Sequence, residues 1–88
     1  MHLYACVIAG DPTFYAQTLA EAKTWARDAA PPDWDRANYR VELRDMPIDK
    51  ANLCKLVNEV WSTDRADRGP LLKTWKLTPR NALTPVEA

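Results

Sequence analysis

The chain has 88 residues, and its 12 Lys plus Arg balance 12 Asp plus Glu, so the formal charge at pH 7 is zero. That length allows one small domain over residues 1–88 and excludes a multidomain enzyme. A neutral total removes the global footprint of a strongly basic nucleic-acid binder. Hydrophobic residues at 47% and charged residues at 27% belong to a globular chain rather than a disordered one.

Residues 2–9 suit a pleated surface, and Gly10-Asp11-Pro12-Thr13 supplies turn chemistry before Phe14-Tyr15-Ala16-Gln17. This predicts a hairpin. Thr18-Leu19-Ala20-Glu21 matches a capping box, and Leu19, Ala22, Trp25, Ala26 and Ala29 recur at helical spacing until Pro31-Pro32. Tyr39, Val41 and Leu43 alternate with Arg40, Glu42 and Arg44, a half-buried strand with a wet face. Asp49 then caps a second helix through Trp61, in which Leu53, Leu56, Val57, Val60 and Trp61 form the stripe expected to face the core. After a polar loop over 62–70, residues 71–78 read as a strand, with Leu71, Lys73, Trp75 and Leu77 on one face and Leu72, Thr74, Lys76 and Thr78 on the other. Residues 82–86 pair back as a short edge strand, since an edge tolerates Pro85. The order ββαβαβ, with the short final strand, predicts an α+β two-layer sandwich: an antiparallel or mixed sheet with two helices on one face.

The cysteines, Cys6 and Cys54, are too far apart for a local metal or redox motif and too few for a disulfide framework. Both are expected as free thiols in apolar stripes, in a cytoplasmic protein. The apolar run Leu3–Ala9 follows no Lys or Arg and meets Asp11-Pro12, so it reads neither as a signal peptide nor as a membrane span.

Nucleophilic catalysis needs a nucleophile, a base and an oxyanion stabiliser in mutual geometry. The single histidine is His2 and the single serine Ser62. His2 and Cys6 share a strand face at a spacing of four, but a strand cysteine more often packs in a core. Asp33 with Asp35, and Asp45 with Asp49, are the nearest carboxylate pairs, and neither has a specific spacing. With Gly10 and Gly69 alone there is no phosphate-cradling loop. No catalytic residue, metal ligand or cofactor is assigned, and the protein is not expected to be an enzyme.

Lys73-Thr74-Trp75-Lys76-Leu77-Thr78-Pro79-Arg80 resembles the second wing strand of winged-helix DNA-binding domains, with Asn81 where those domains commonly place Gly. The chain lacks the three-helix core that precedes such a wing, so no recognition helix is implied.

Charge and tryptophan are the informative features. Six acids face three bases between Asp28 and Asp49, while five bases face one acid between Arg65 and Arg80. Such segregation suits a specific partner, although the two segments facing each other would explain it equally well. Four tryptophans are many for one small core, since each ring buries roughly 150–250 Å². Trp25, Trp61 and Trp75 fit buried stripes, whereas Trp34 stands in a loop between Asp33 and Asp35, either as a core cap or as an interface anchor. The expected function is a small protein-interaction module (an adaptor, regulator or inhibitor of the kind carried by phages and mobile elements) that occludes a partner protein. The partner-binding candidates are Trp34 with Asp33, Asp35 and Arg36, or the basic residues Arg65, Arg68, Lys73, Lys76 and Arg80. The alternative is nucleic-acid binding through segment 65–80 and the wet face bearing Arg40, Arg44 and Lys76. Monomer and homodimer are both open.

Overall fold

The computed structural model describes residues 1–59, 61 and 65–86. The predicted hairpin is β1 (His2–Ile8) with β2 (Asp11–Ala16). Its turn is Ala9-Gly10, with φ of 53° and 88°, the left-handed pair whose twist matches that of the flanking strands. The strand therefore resumes at Asp11, before the turn-like Pro12. Pro12 is tolerated because β2 is a sheet edge. The register shifts between Cys6 and Val7, and the Thr13 hydroxyl donates to the Cys6 carbonyl at 3.2 Å.

α1 (Leu19–Ala29) starts at Thr18, whose hydroxyl accepts the Glu21 N–H at 3.2 Å. The Glu21 carboxylate returns to the N–H of Gln17, one residue before the cap. Ala30, left-handed at φ 39°, closes the helix with its N–H on the Ala26 carbonyl. A short 3-10 turn at Arg36–Asn38 leads into β3 (Tyr39–Asp45), followed by α2 (Lys50–Asn58), β4 (Leu71–Leu77) and β5 (Leu83–Pro85).

The five strands form one antiparallel sheet in the order β2-β1-β3-β4-β5, an α+β architecture with the predicted element order and the fifth strand in place. The pairings Tyr4–Leu43, Cys6–Val41 and Val41–Trp75 put these side chains on one face. α1 packs there, burying Ala22 and Ala26, with Trp25 and Leu19 partly covered. Aromatic contacts extend this core, with Tyr4 and Trp75 centroids 5.7 Å apart and Trp25 and Tyr39 5.9 Å apart. Cys6 is fully buried, as expected.

The second helix departs from expectation. Asp49 does cap it, its carboxylate accepting the Asn52 N–H at 2.7 Å. The regular helix ends at Asn58 instead of Trp61, and the predicted stripe does not face the core: Leu53 is 44% exposed, Val57 75% and Trp61 88%. Cys54 is likewise exposed rather than buried. Val60 of that stripe and residues 62–64 of the predicted loop lie outside the described residues. What turns the helix round is its polar side, because Asn52, Leu56 and Glu59 fall on one face at helical spacing. Asn52 is buried; its amide donates to the carbonyls of Pro47 (2.8 Å) and Asp67 (2.9 Å), and its carbonyl accepts the Asp67 N–H (2.6 Å). Glu59 accepts from the Ala66 N–H at 2.9 Å and from Arg68 at 3.1 Å. These bonds hold the returning segment 65–69 against α2, and the opposite, apolar side is left in water.

Candidate protein-interaction surface

Alternation along β4 separates the basic candidates. Lys73 lies on the α1 face with its ammonium 5.3 Å from the Trp75 ring centroid, while Lys76 lies on the other face, opposite Arg40. Arg68 is a structural clamp, donating to the Tyr15 hydroxyl at 3.1 Å and forming a salt bridge with Glu59. Arg65 is exposed nearby, and Arg80 is exposed in the turn between β4 and β5. Segment 65–80 is therefore spread over both sheet faces and both ends of β4, and forms no single basic surface.

The wet face carries Arg40, Glu42 and Arg44 along one side of β3, as the alternation predicts. Glu42 is buried at 7% exposure and is gripped from both sides, by Arg40 Nε at 3.0 Å and by Arg44 Nη2 at 3.2 Å. Arg44 also donates to the Gly69 carbonyl at 3.0 Å. The two flanking arginines are thus partly neutralised on their own strand. Among the described residues, no salt bridge joins the acidic stretch 28–49 to the basic stretch 65–80, so the segregated charges do not cancel across the fold.

The loop candidates are brought together at the end of the sheet where β3 begins. Arg36 forms a 2.6 Å salt bridge with Asp33 and donates from Nε to Asn81 at 3.0 Å, while Asp35 accepts from the Asn38 amide at 2.7 Å. Trp34, carried by this pinned loop, is 83% exposed and is not a core cap. The Arg36–Asn81 bond ties the Trp34 loop to the Arg80 turn, so Arg80 alone of the basic candidates is linked to it.

The carboxylates singled out in sequence have structural partners. Besides Asp33, Asp35 and Asp49, Asp45 receives the N-terminal ammonium at 3.0 Å, which holds its carboxyl below the usual range. His2 is exposed at the start of β1 and Cys6 is sealed in the core. Four residues of strand place their Cα atoms roughly 13 Å apart, beyond any hydrogen bond. Burial also pushes the Cys6 thiol up to about 12, which makes it a poor nucleophile. Among the described residues, no group of three or more His, Cys, Asp or Glu could hold a metal ion, and no helix is long and apolar enough to cross a membrane.

The surface that sequence reasoning missed is the outer side of α2. Leu53 and Val57, one four-residue step apart, line a shallow depression of about 460 Å³ with Lys50, Cys54 and Asn58, and the exposed Trp61 follows four residues on, just past the end of the helix. Lys50 lines it, Lys55 is exposed on the same helix, and neither is in a salt bridge among the described residues. The carboxylates at the two ends of α2 are occupied, Asp49 by its own helix and Glu59 by Arg68. The signal that could have found this surface was the polar set Asn52 and Glu59, seven residues apart, which marks the opposite side of the helix as the one that is pinned. The chain matches no protein-family model, no curated protein and no solved structure.

Proposed function

We propose that this protein is a non-enzymatic interaction module that docks α2 into an apolar, acid-rimmed groove of a partner protein in the cytoplasm, occluding the partner's surface as an adaptor, regulator or inhibitor does. The observation that carries the reading is the Leu53–Val57–Trp61 stripe, held out of the core by the polar bonds of Asn52 and Glu59. An amphipathic helix presenting anchors at this spacing is a recurring recognition mode, in which the apolar side fills a groove and the rim charges set partner choice. Lys50 in the depression and the exposed Lys55 on the same helix, neither in a salt bridge among the described residues, favour an acidic rim. Trp34, an exposed aromatic on a pinned loop, is a second anchor for a partner large enough to reach the end of the sheet.

A photo-crosslinking residue at position 57, with one at the exposed Asp11 as control, tests the docking surface in lysate. The expected result is a protein adduct specific to position 57, diminished by added salt and lost in Leu53→Gln/Trp61→Gln. Equal adducts at both positions, or an adduct indifferent to those substitutions, would sink the proposal. Sedimentation equilibrium covers the competing occupant, because a dimer dissociated by the same substitutions would replace a foreign partner by a second copy of the chain. Retardation of a nucleic-acid probe at low salt, abolished by Arg40→Ala/Lys76→Ala, would favour the alternative partner instead.

A further inference from the structure

A second surface, on α1 and the turn between β4 and β5, has a different chemistry. Between α1 and the turn joining β4 to β5 lies a groove of about 350 Å³ lined by Lys23, Thr24, Arg27, Arg80, Asn81 and Leu83 among others, with three cations and, among the described residues, no carboxylate. Lys23 and Arg27 are one helical turn apart, a like-charge spacing that works against the helix, and Arg80 adds a third positive charge from the turn. Lys23 and Arg80 are in no salt bridge among the described residues, while Arg27 meets only its exposed neighbour Asp28, at 3.7 Å.

The turn is fixed independently of these cations. The Thr78 hydroxyl accepts the N–H groups of Arg80 (3.3 Å) and Ala82 (3.2 Å), and the Thr78 N–H donates to the Ala82 carbonyl at 2.7 Å. Asn81, left-handed at φ 59°, is held by Arg36. Asn tolerates that conformation better than most residues, and it occupies the position at which glycine is usual in such a turn. The hydrogen-bonded turn and the helix therefore hold three positive charges on one groove, and Asp28, 3.7 Å from Arg27, is the one anion that meets any of them in a salt bridge among the described residues.

We propose that this groove binds a phosphate-monoester dianion. Two of the three cations are arginines, whose planar forks match phosphate oxygens in pairs, with lysine adding a point charge. Three positive charges exceed what a single carboxylate neutralises and suit a group carrying close to two negative charges at pH 7. The volume lies at the lower end of small-ligand sites, enough for a phosphoryl group with a small organic body, and Leu83 and Ala82 supply apolar contact for that body.

The test is a titration of the 15N-labelled full chain with inorganic phosphate at low ionic strength, followed by O-phosphoserine and adenosine monophosphate, with acetate as the carboxylate control. Saturable shifts confined to the amides of 23–27 and 78–83 are expected, with acetate without effect. The tighter of the two organic phosphates identifies the source of the phosphoryl group. Arg80→Ala and Lys23→Ala each weaken binding by about tenfold, the scale of one lost charge-assisted bond, while Lys73→Ala and Lys76→Ala leave it unchanged. All four side chains are exposed, so the variants fold, and their spectra verify this. Shifts spread evenly over the lysines and arginines, equal loss in all four variants, or no saturation would overturn the assignment.

Discussion

The outward orientation of α2 makes a prediction that separates its two sides. Leu53→Gln/Val57→Gln replaces exposed apolar side chains with a polar residue that is a good helix former. Val57 has 75% of its surface in water, so only about a quarter of the roughly 1.5 kcal/mol of a fully buried valine is at stake, near 0.4 kcal/mol. Leu53, at 44% exposure, contributes on the order of 1 kcal/mol on the same scale, and the gain in helix propensity at Val57 offsets a few tenths of a kcal/mol. The double variant should lose about 1 kcal/mol, a fall in Tm of roughly 4–8 °C for a domain this size. Asn52→Ala, on the opposite side of the same helix, removes three side-chain hydrogen bonds and leaves backbone groups of Pro47 and Asp67, part-buried under Asn52, without those partners. At about 1 kcal/mol for each bond and more for an orphaned group, the loss is about 3 kcal/mol. Urea unfolding followed by far-ultraviolet circular dichroism measures both. Had the apolar stripe been packed on the sheet, the double variant would cost about 4 kcal/mol or more. A double variant as destabilised as Asn52→Ala would therefore refute the orientation and the docking surface with it.

The thiols should differ sharply: native protein at pH 8 takes up one equivalent of a thiol reagent, at Cys54, and a second only on unfolding, since Cys6 is sealed under α1. Because burial raises the Cys6 thiol from an ordinary 9.0 to about 12, the native state holds its proton where the unfolded state has released it. This thiol therefore lowers stability as pH rises from about 9 towards 12, by at most about 1.4 kcal/mol per pH unit. Urea midpoints for wild type and Cys6→Ala at pH 8 and pH 10 should diverge in that direction, and parallel curves would contradict it. Gly69→Ala combines a φ of +69° with a Cβ that collides with the Asp45 carbonyl oxygen, so a loss above about 2 kcal/mol is expected in the same assay. Trp34→Ala, at an exposed loop site, should change stability by less than about 0.5 kcal/mol, and a larger loss would mark Trp34 as part of the core.

The local code of the chain was legible because its signals are short-ranged. The Thr18 cap, the Asp49 cap, the proline stop after α1 and the alternation of β3 and β4 each act within a few residues, and each appears where its chemistry places it. The turn at Ala9-Gly10 was displaced, because the dipeptide Asp11-Pro12 has turn chemistry that an edge strand can also accommodate, and α2 stops at Asn58, short of Trp61. The stripe on α2 was visible too, but periodicity shows that a helix has an apolar side and not what that side meets.

Sequence alone thus determined the elements, their order, the α+β class and which β4 residues would share a face, since these follow from backbone geometry and local capping. Tertiary structure decided which side of α2 was pinned, because Asn52 and Glu59 bond to residues 66–68, partners that the spacing of the two polar residues does not name. It also decided that the basic run would be dispersed by the strand it occupies, and that Arg80 would meet Lys23 and Arg27 from a helix more than fifty residues earlier. Charges and apolar groups are read from a sequence one by one, but a surface exists only once chain segments far apart in sequence have been brought side by side.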